Sequence, residues 1–162
     1  MLGFYEGDKM NYKDKLFNHL QAIIGKQLTE LHLACEMMMF SFEGYALHAQ
    51  CLTRIIYENN ILVTTFDYQN WDGKIEENND EWYFVEQYRE KIIGGVVTSV
   101  SVTPIYDVVI NLDNGISIEL FIKNGDHHFD DECRQWDFFK AGDHTFPFVT
   151  VYNKTVDIIE NW

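Results

Sequence analysis

The chain has 162 residues, of which 26 are acidic and 12 are basic, so its formal charge at pH 7 is −14. This length predicts one domain, or two small fused halves, that can fold without a metal or a disulfide. A hydrophobic fraction of 46% and an aromatic fraction of 15% argue against disorder. The negative charge disfavours nucleic acid as a partner, because phosphate binding depends on Lys and Arg, and it favours a basic partner.

Neither secretion nor membrane insertion is predicted. Residues 1–15 are polar and charged where a signal peptide would be apolar, and no apolar run approaches the ~20 residues of a membrane span. The three cysteines, Cys35, Cys51 and Cys133, lack metal-type spacing, and each adjoins apolar residues. We therefore expect reduced, buried and inert thiols, and a cytoplasmic protein without a cofactor or a membrane contact.

The first predicted helix is capped by Asn11 and ends before Gly25, where glycine readily adopts a left-handed conformation. Its apolar residues recur at the spacing of one helical face: Leu16, Leu20, Ile23 and Ile24. Alternating strands follow, with a turn at Glu43 and Gly44. Two further strands are predicted at 51–57 and 61–68, joined by a turn at 58–60.

The second predicted helix is capped by Asn78 or Asn79, and it places Asp80 and Glu81 against the positive end of the helix dipole. Its buried stripe consists of Val85, Tyr88 and Ile92, and Gly94 follows its end. The run 113–115, Asp-Asn-Gly, lies between alternating segments and predicts a tight hairpin with positive φ angles. Later strands are predicted at 133–139, 148–152 and 155–159.

The two halves of the chain share a pattern. Ile-Ile-Gly occurs at 23–25 and again at 92–94, each time after a helix signal and before alternating strands. We predict an α+β fold in which two helices pack on mainly antiparallel β-sheet. The chain, 1–162, is expected to form one domain with tandem αβββ halves at 11–70 and 79–139, related by a pseudo-twofold, and C-terminal strands within 146–160.

Two acidic segments, 72–81 and 126–132, are candidate docking surfaces for a basic protein. The first resembles a calcium loop in composition but lacks the required order of oxygen ligands. Aromatic residues beside such charges are typical of interface anchors. The predicted partner-binding residues are Asp72, Glu76, Glu77, Asp80, Trp82, Asp126, Asp130, Asp131, Glu132 and Trp136.

Two other function classes compete with this interpretation. His127, His128 and Asp130 are residue types that bind divalent metals, which allows a metal-dependent hydrolase. An exposed sheet edge or the run 37–39, Met-Met-Met, allows a self-associating module such as a homodimer. No nucleophile elbow and no phosphate-binding glycine loop is present, so we expect a protein that is not an enzyme.

Three short segments resemble a known class of proteins. Residues 64–69 (TTFDYQ), 79–82 (NDEW) and 132–139 (ECRQWDFF) resemble small acidic bacterial immunity proteins of polymorphic toxin systems. This resemblance implies a protein that binds and neutralises one cognate toxin in the cytoplasm of the producing cell. A basic, nuclease-type toxin domain would match the acidic charge of the chain.

Overall fold

The computed structural model describes residues 11–124, 133–142 and 146–161. Within these residues the helices are α1 (Lys13–Leu20) and α2 (Asp80–Ile92). The first-half strands are β1 (Leu28–Ala34), β2 (Met37–Phe42), β3 (Tyr45–Ala49), β4 (Leu52–Tyr57) and β5 (Asn60–Thr64). The second-half strands are β6 (Val97–Val102), β7 (Val108–Leu112), β8 (Ile116–Phe121), β9 (Arg134–Lys140), β10 (Phe148–Tyr152) and β11 (Val156–Ile159). Three 3₁₀-helices occupy Gln21–Ile23, Thr65–Tyr68 and Glu76–Asn78.

The strands form two antiparallel sheets, which confirms the predicted α+β class. One sheet has the order β1-β2-β3-β9-β10-β11 and the other has the order β5-β4-β8-β7-β6. Each sheet therefore contains three consecutive strands from one half of the chain, β1–β3 or β6–β8, beside strands from the other half. The β4–β5 hairpin completes the sheet of the second half, and β9, β10 and β11 complete that of the first.

The hydrogen bonds where the halves meet are reciprocal. Gln27 and Val96, which are 69 positions apart, form an antiparallel bridge with each other. The amide of Gly25 donates to the carbonyl of Val97, and the amide of Gly94 donates to the carbonyl of Leu28, both at 2.8 Å. Both glycines have positive φ, as predicted for residues that end a helix. These contacts give the junction a local two-fold pattern.

Side-chain contacts repeat in the same way. Thr29 donates to the carbonyl of Ser41 (3.1 Å), and Thr98 donates to the carbonyl of Asn111 (3.2 Å). The amide of Gln27 donates to the Glu43 carboxylate, and the amide of Val96 donates to the Asp113 carboxylate, both at 2.8 Å. The similarity of the halves therefore extends to individual polar contacts.

A single apolar cluster joins both helices and both sheets. Leu16 and Leu20 of α1 and Val85 and Ile92 of α2 are buried in this cluster. The helices are exchanged between halves as the strands are, because α1 packs against β6 while α2 packs against β1 and β5. Within the described part of the chain, no helix is long and apolar enough to cross a bilayer.

Several local predictions require correction. Helix α1 begins at Lys13 after Tyr12, and Asn11 accepts a hydrogen bond from the Lys13 amide (3.1 Å). The predicted 61–68 strand ends at Thr64, because Thr64 and Asp67 form a capping box that starts a 3₁₀-helix. In the 113–115 connection, only Gly115 has positive φ.

The prediction of buried, inert thiols is correct for one cysteine and wrong for another. Burial raises the pKa of the Cys51 thiol to about 12, so this thiol stays protonated. Cys35 is exposed, because it lies in the turn between β1 and β2. Cys133 is intermediate in exposure.

Candidate functional site

A cavity of about 280 Å³ lies between the β1–β2 turn, the Thr65–Tyr68 3₁₀-helix and the start of α2. Its described lining residues include three carboxylates, three large aromatic side chains and no Lys or Arg. The carboxylates and aromatics are Glu36, Glu76, Glu81, Tyr68, Trp71 and Trp82. The cavity therefore combines negative charge with aromatic faces.

The β1–β2 turn contributes Glu36 through a strained backbone. Cys35 and Glu36 have φ angles of 51° and 60°, in a region where residues other than glycine cost about 1 kcal/mol or more. The hydroxyl of Tyr68 donates a hydrogen bond to Oε1 of Glu36. This bond raises the pKa of Tyr68, because the phenol must stay protonated to donate. Glu36 is thereby held at the cavity by a neighbouring segment.

The Thr65–Tyr68 3₁₀-helix positions two of the aromatic residues. Oγ1 of Thr64 accepts from the Phe66 amide (3.1 Å), and Oδ2 of Asp67 accepts from the Thr64 amide (2.8 Å). This capping box turns the chain out of β5. The rings of Tyr68 and Trp71 then lie 6.2 Å apart, and Nε1 of Trp71 donates to the carbonyl of Ile75 (2.6 Å).

Of the two predicted caps of α2, Asn78 and Asn79, it is Asn79 whose Oδ1 accepts from the Trp82 amide (3.3 Å). Glu81 follows in the first turn and is only 3% exposed. Burial, together with the negative charges of Asp67 and Glu36, raises the pKa of Glu81 to about 7. The carboxylate of Glu81 has no hydrogen bond or ion pair with any residue that the structure describes.

Asp137 is a second buried carboxylate of the molecule, and only one of its two oxygens has a charged partner, since Oδ1 is buried without a hydrogen-bond partner among the described residues. It is 4% exposed, and burial raises its pKa. Nη1 of Arg134 lies 3.5 Å from Oδ2 of Asp137, and this charge, together with the Thr150 hydroxyl, opposes the effect of burial. Glu81 lacks both kinds of support among the described residues. An unpaired buried carboxylate is costly, so a cation that reaches Glu81 would gain a strong interaction.

Of the five predicted partner-binding residues within 72–82, two lie at this cavity. Glu76 and Trp82 line it. Asp72, Glu77 and Asp80 are exposed. Oδ1 of Asp72 accepts from the Lys74 amide (2.9 Å), which lowers the pKa of Asp72 and fixes the loop. Asp72 therefore orders the segment in addition to carrying charge.

Trp136 does not belong to a docking surface. This side chain lies on the core face of β9, is fully buried, and donates from Nε1 to the carbonyl of Tyr106 (3.0 Å). The prediction for Trp136 is corrected because this residue shares with Phe138 the face of β9 that packs in the apolar cluster.

The second predicted acidic surface lies outside the described residues. Asp126, Asp130, Asp131 and Glu132 all fall there, as do His127 and His128 of the metal hypothesis. Among residues 11–124, 133–142 and 146–161, no group of three or more His, Cys, Asp or Glu side chains is arranged to hold a metal ion.

Comparison of the chain with protein-family models, with curated proteins and with solved structures found no match.

Exposed apolar side chains are concentrated in residues 61–83, a segment that supplies part of the cavity lining. Seven large hydrophobic residues of the described chain are exposed, and four of them lie between positions 61 and 83. These four are Ile61, Phe66, Ile75 and Tyr83. Residues 65–83 also contain six acidic residues and one Lys. Apolar and aromatic groups beside such charge are typical of protein interfaces.

Sequence reasoning missed the most informative residues of this site. Glu81 was interpreted as a favourable charge at a helix start, at the end of the acidic segment 72–81, and was not among the predicted partner-binding residues. Its spacing to Val85, Tyr88 and Ile92 places it on the buried stripe of α2, which is a signal that the sequence contained. Glu36 gave no comparable signal, because its role depends on a turn conformation that Cys and Glu rarely adopt.

Proposed function

We propose that this protein binds and neutralises a basic protein partner, as the immunity proteins that it resembles do. The observation that carries the proposal is the cavity lined by Glu36, Glu76 and Glu81 without a described Lys or Arg beside them. A basic partner would be attracted at long range by the −14 net charge and anchored by the aromatic and apolar residues of segment 61–83. Toxins that cleave nucleic acid carry the matching positive charge.

The partner can be sought by affinity purification of the full chain from its native cells. We expect one basic protein, whose expression alone arrests growth and whose toxicity is relieved by co-expression of this chain. The two purified proteins should associate tightly, with an association rate that falls as salt is raised. A partner that is acidic, or toxicity that persists despite co-expression, would refute the proposal.

Charge-reversal variants can show whether the acidic residues near the start of α2 attract the partner specifically or whether only the net charge of the protein matters. Glu77→Lys with Asp80→Lys alters two exposed residues next to the start of α2, and Glu86→Lys with Glu90→Lys makes the same change in charge at two exposed residues farther along the helix. We expect the first pair to slow association about tenfold or more at low salt, and the second pair to have a smaller effect. Equal effects would mean that this surface is not the one that meets the partner. Sedimentation at twice the mass of the chain without a partner would favour the self-associating module.

A further inference from the structure

We propose that the cavity at the start of α2 binds the guanidinium group of one arginine side chain of the partner, with Glu81 as the carboxylate that receives it. This inference rests on the proposed function for the source of the arginine. The binding chemistry itself is carried by the structure of the cavity.

The first argument is the state of Glu81. The residue is 97% buried, lines the cavity, and its carboxylate has no partner among the described residues. A native protein normally provides a partner for such a group, as Arg134 does for Oδ2 of Asp137, whose other oxygen, Oδ1, is buried without a hydrogen-bond partner among the described residues. The missing partner of Glu81 is a positive charge with hydrogen-bond donors, which a ligand in the cavity would supply.

The second argument is the arrangement of the other carboxylates around Glu81. Glu36 and Glu76 line the same cavity, so a bound cation would face carboxylates from the β1–β2 turn and the 76–78 segment as well as from α2. A guanidinium has five donors in one plane and can contact several carboxylates at once, whereas an ammonium is a compact, strongly hydrated point charge. This arrangement favours arginine over lysine.

The third argument is the aromatic wall formed by Tyr68, Trp71 and Trp82. Guanidinium groups stack on aromatic faces and lose less hydration energy than ammonium groups do. The molecule uses this contact elsewhere, since the guanidinium of Arg54 lies 4.9 Å from the ring centroid of Phe121 while it pairs with Glu119. The cavity offers an incoming arginine the same combination of a ring and a carboxylate.

The size of the cavity limits its occupant. Pockets for drug-sized ligands have volumes of roughly 300 to 1,000 Å³. A volume of about 280 Å³ suits one side chain or an equally small cation. A partner's arginine also brings the rest of the interface with it, which the exposed Phe66, Ile75 and Tyr83 can contact.

The chemistry can be tested on the purified full chain without the partner. The probe is N-acetyl-L-arginine N-methylamide, and the matched control is its citrulline analogue, which has nearly the same shape but no charge. The indole N–H signals of Trp71 and Trp82 report binding by NMR. We expect saturable binding of the arginine probe with a Kd of about 10 mM or below, and at least tenfold weaker binding of the citrulline probe.

Glu81→Gln keeps the shape of the side chain and removes its charge, and Glu90→Gln makes the same change at an exposed position of the same helix. Glu81→Gln should weaken the arginine probe at least about tenfold, while Glu90→Gln should leave its Kd unchanged. Equal binding of both probes, no saturation up to about 50 mM, or full binding by a folded Glu81→Gln variant would overturn the proposal.

The partner provides the second arm of the test. Selective loss of partner affinity in Glu81→Gln, with Glu90→Gln unaffected, supports an arginine of the partner as the occupant. Unchanged partner affinity in Glu81→Gln overturns this source and leaves the proposed function standing. Arginine-probe binding that depends on Glu81, in a chain that binds no basic protein, refutes the proposed function and identifies the cavity as a site for a small free cation.

Discussion

The starts of the two helices occupy equivalent places in the two halves, yet they are built differently. With the offset of 69 that relates Gln27 to Val96, Glu81 corresponds to Tyr12. Tyr12 packs against the apolar core one turn before Leu16, whereas Glu81 is a buried carboxylate one turn before Val85.

The residues that surround the two helix starts also differ in charge. The region beside α1 is lined by one Lys, one Asp, Phe17 and residues 100–102 of β6, so its charges balance. The region beside α2 has three carboxylates and no described basic residue. The shared fold therefore does not require the acidic cavity, and its charge has been placed on one half only. Such a local departure from an otherwise repeated pattern is expected at a functional site.

The largest effect that we expect on stability comes from the charge of Glu81. Its pKa is about 7 in the folded protein and near 4.5 in the unfolded chain, so between these pH values the folded state holds a proton that the unfolded chain has lost. The unfolding free energy therefore falls as pH rises through this window, by up to roughly 3 kcal/mol. Urea denaturation at pH 4.5 and pH 8 should show that Glu81→Gln removes this loss while Glu90→Gln retains it. An identical pH dependence in wild type and Glu81→Gln would show that Glu81 ionises normally.

A carboxylate placed at the equivalent position of the first half should be harmful. Tyr12→Glu puts a charge against the apolar cluster and removes an aromatic contact, and we expect it to lower the unfolding free energy by about 2 kcal/mol at pH 8. Tyr12→Phe keeps the ring and should cost much less. Similar urea midpoints for the two variants would show that the start of α1 tolerates a carboxylate as the start of α2 does.

The junction offers a matched pair of positions, Gly95 and Lys26. A Cβ at Gly95 would lie 2.6 Å from the Asn114 side chain. Asn114 cannot easily give way, because its Nδ2 donates to the carbonyl of Lys91 (3.0 Å) and its Oδ1 accepts from the Ile116 amide (3.2 Å). Gly95→Ala should therefore lower the unfolding free energy by about 1.5 kcal/mol, and Lys26→Ala should leave it almost unchanged. Equal thermal midpoints would contradict this difference.

The smallest expected effect concerns the β1–β2 turn, whose counterpart in the second half is the longer 103–107 connection. Replacing Cys35→Asn together with Glu36→Gly gives residues that prefer positive φ and should stabilise the fold by about 1 kcal/mol. The same double change should weaken the arginine probe, because it removes one carboxylate. Cys35→Asn alone keeps Glu36 and should retain binding. Stabilisation with unchanged probe affinity would show that Glu36 does not contact the ligand.

Local patterns predicted much of the fold. The Ile-Ile-Gly repeat, the Asn79 cap and the alternation of the strands located the main elements, because each depends on neighbouring residues. The exchange of β4–β5 with β9–β11 was not predictable, because strand pairing across about 70 residues depends on packing that no local pattern encodes.

The candidate site was also predictable only where it depends on neighbouring residues in the sequence. Glu76 and Trp82 were found from a charged, aromatic segment, and both line the cavity. Trp136 was assigned to the surface because a tryptophan beside acidic residues looks the same in sequence whether its strand face is buried or exposed. Glu36 meets Tyr68, 32 positions along the chain, only through the tertiary fold, so no sequence window contains this relation.

The exchange of strands makes the molecule comparable to a domain-swapped dimer whose two copies are joined in one chain. A fragment that ended before α2 would expose the edge of β3 that β9 normally covers, and its β4–β5 hairpin would have no sheet to join. Two such fragments could satisfy each other's open edges, so truncation of this protein should yield intertwined oligomers or aggregates. Assembly of the intact chain must bring distant segments together before either sheet is complete, which is typical of slow-folding topologies.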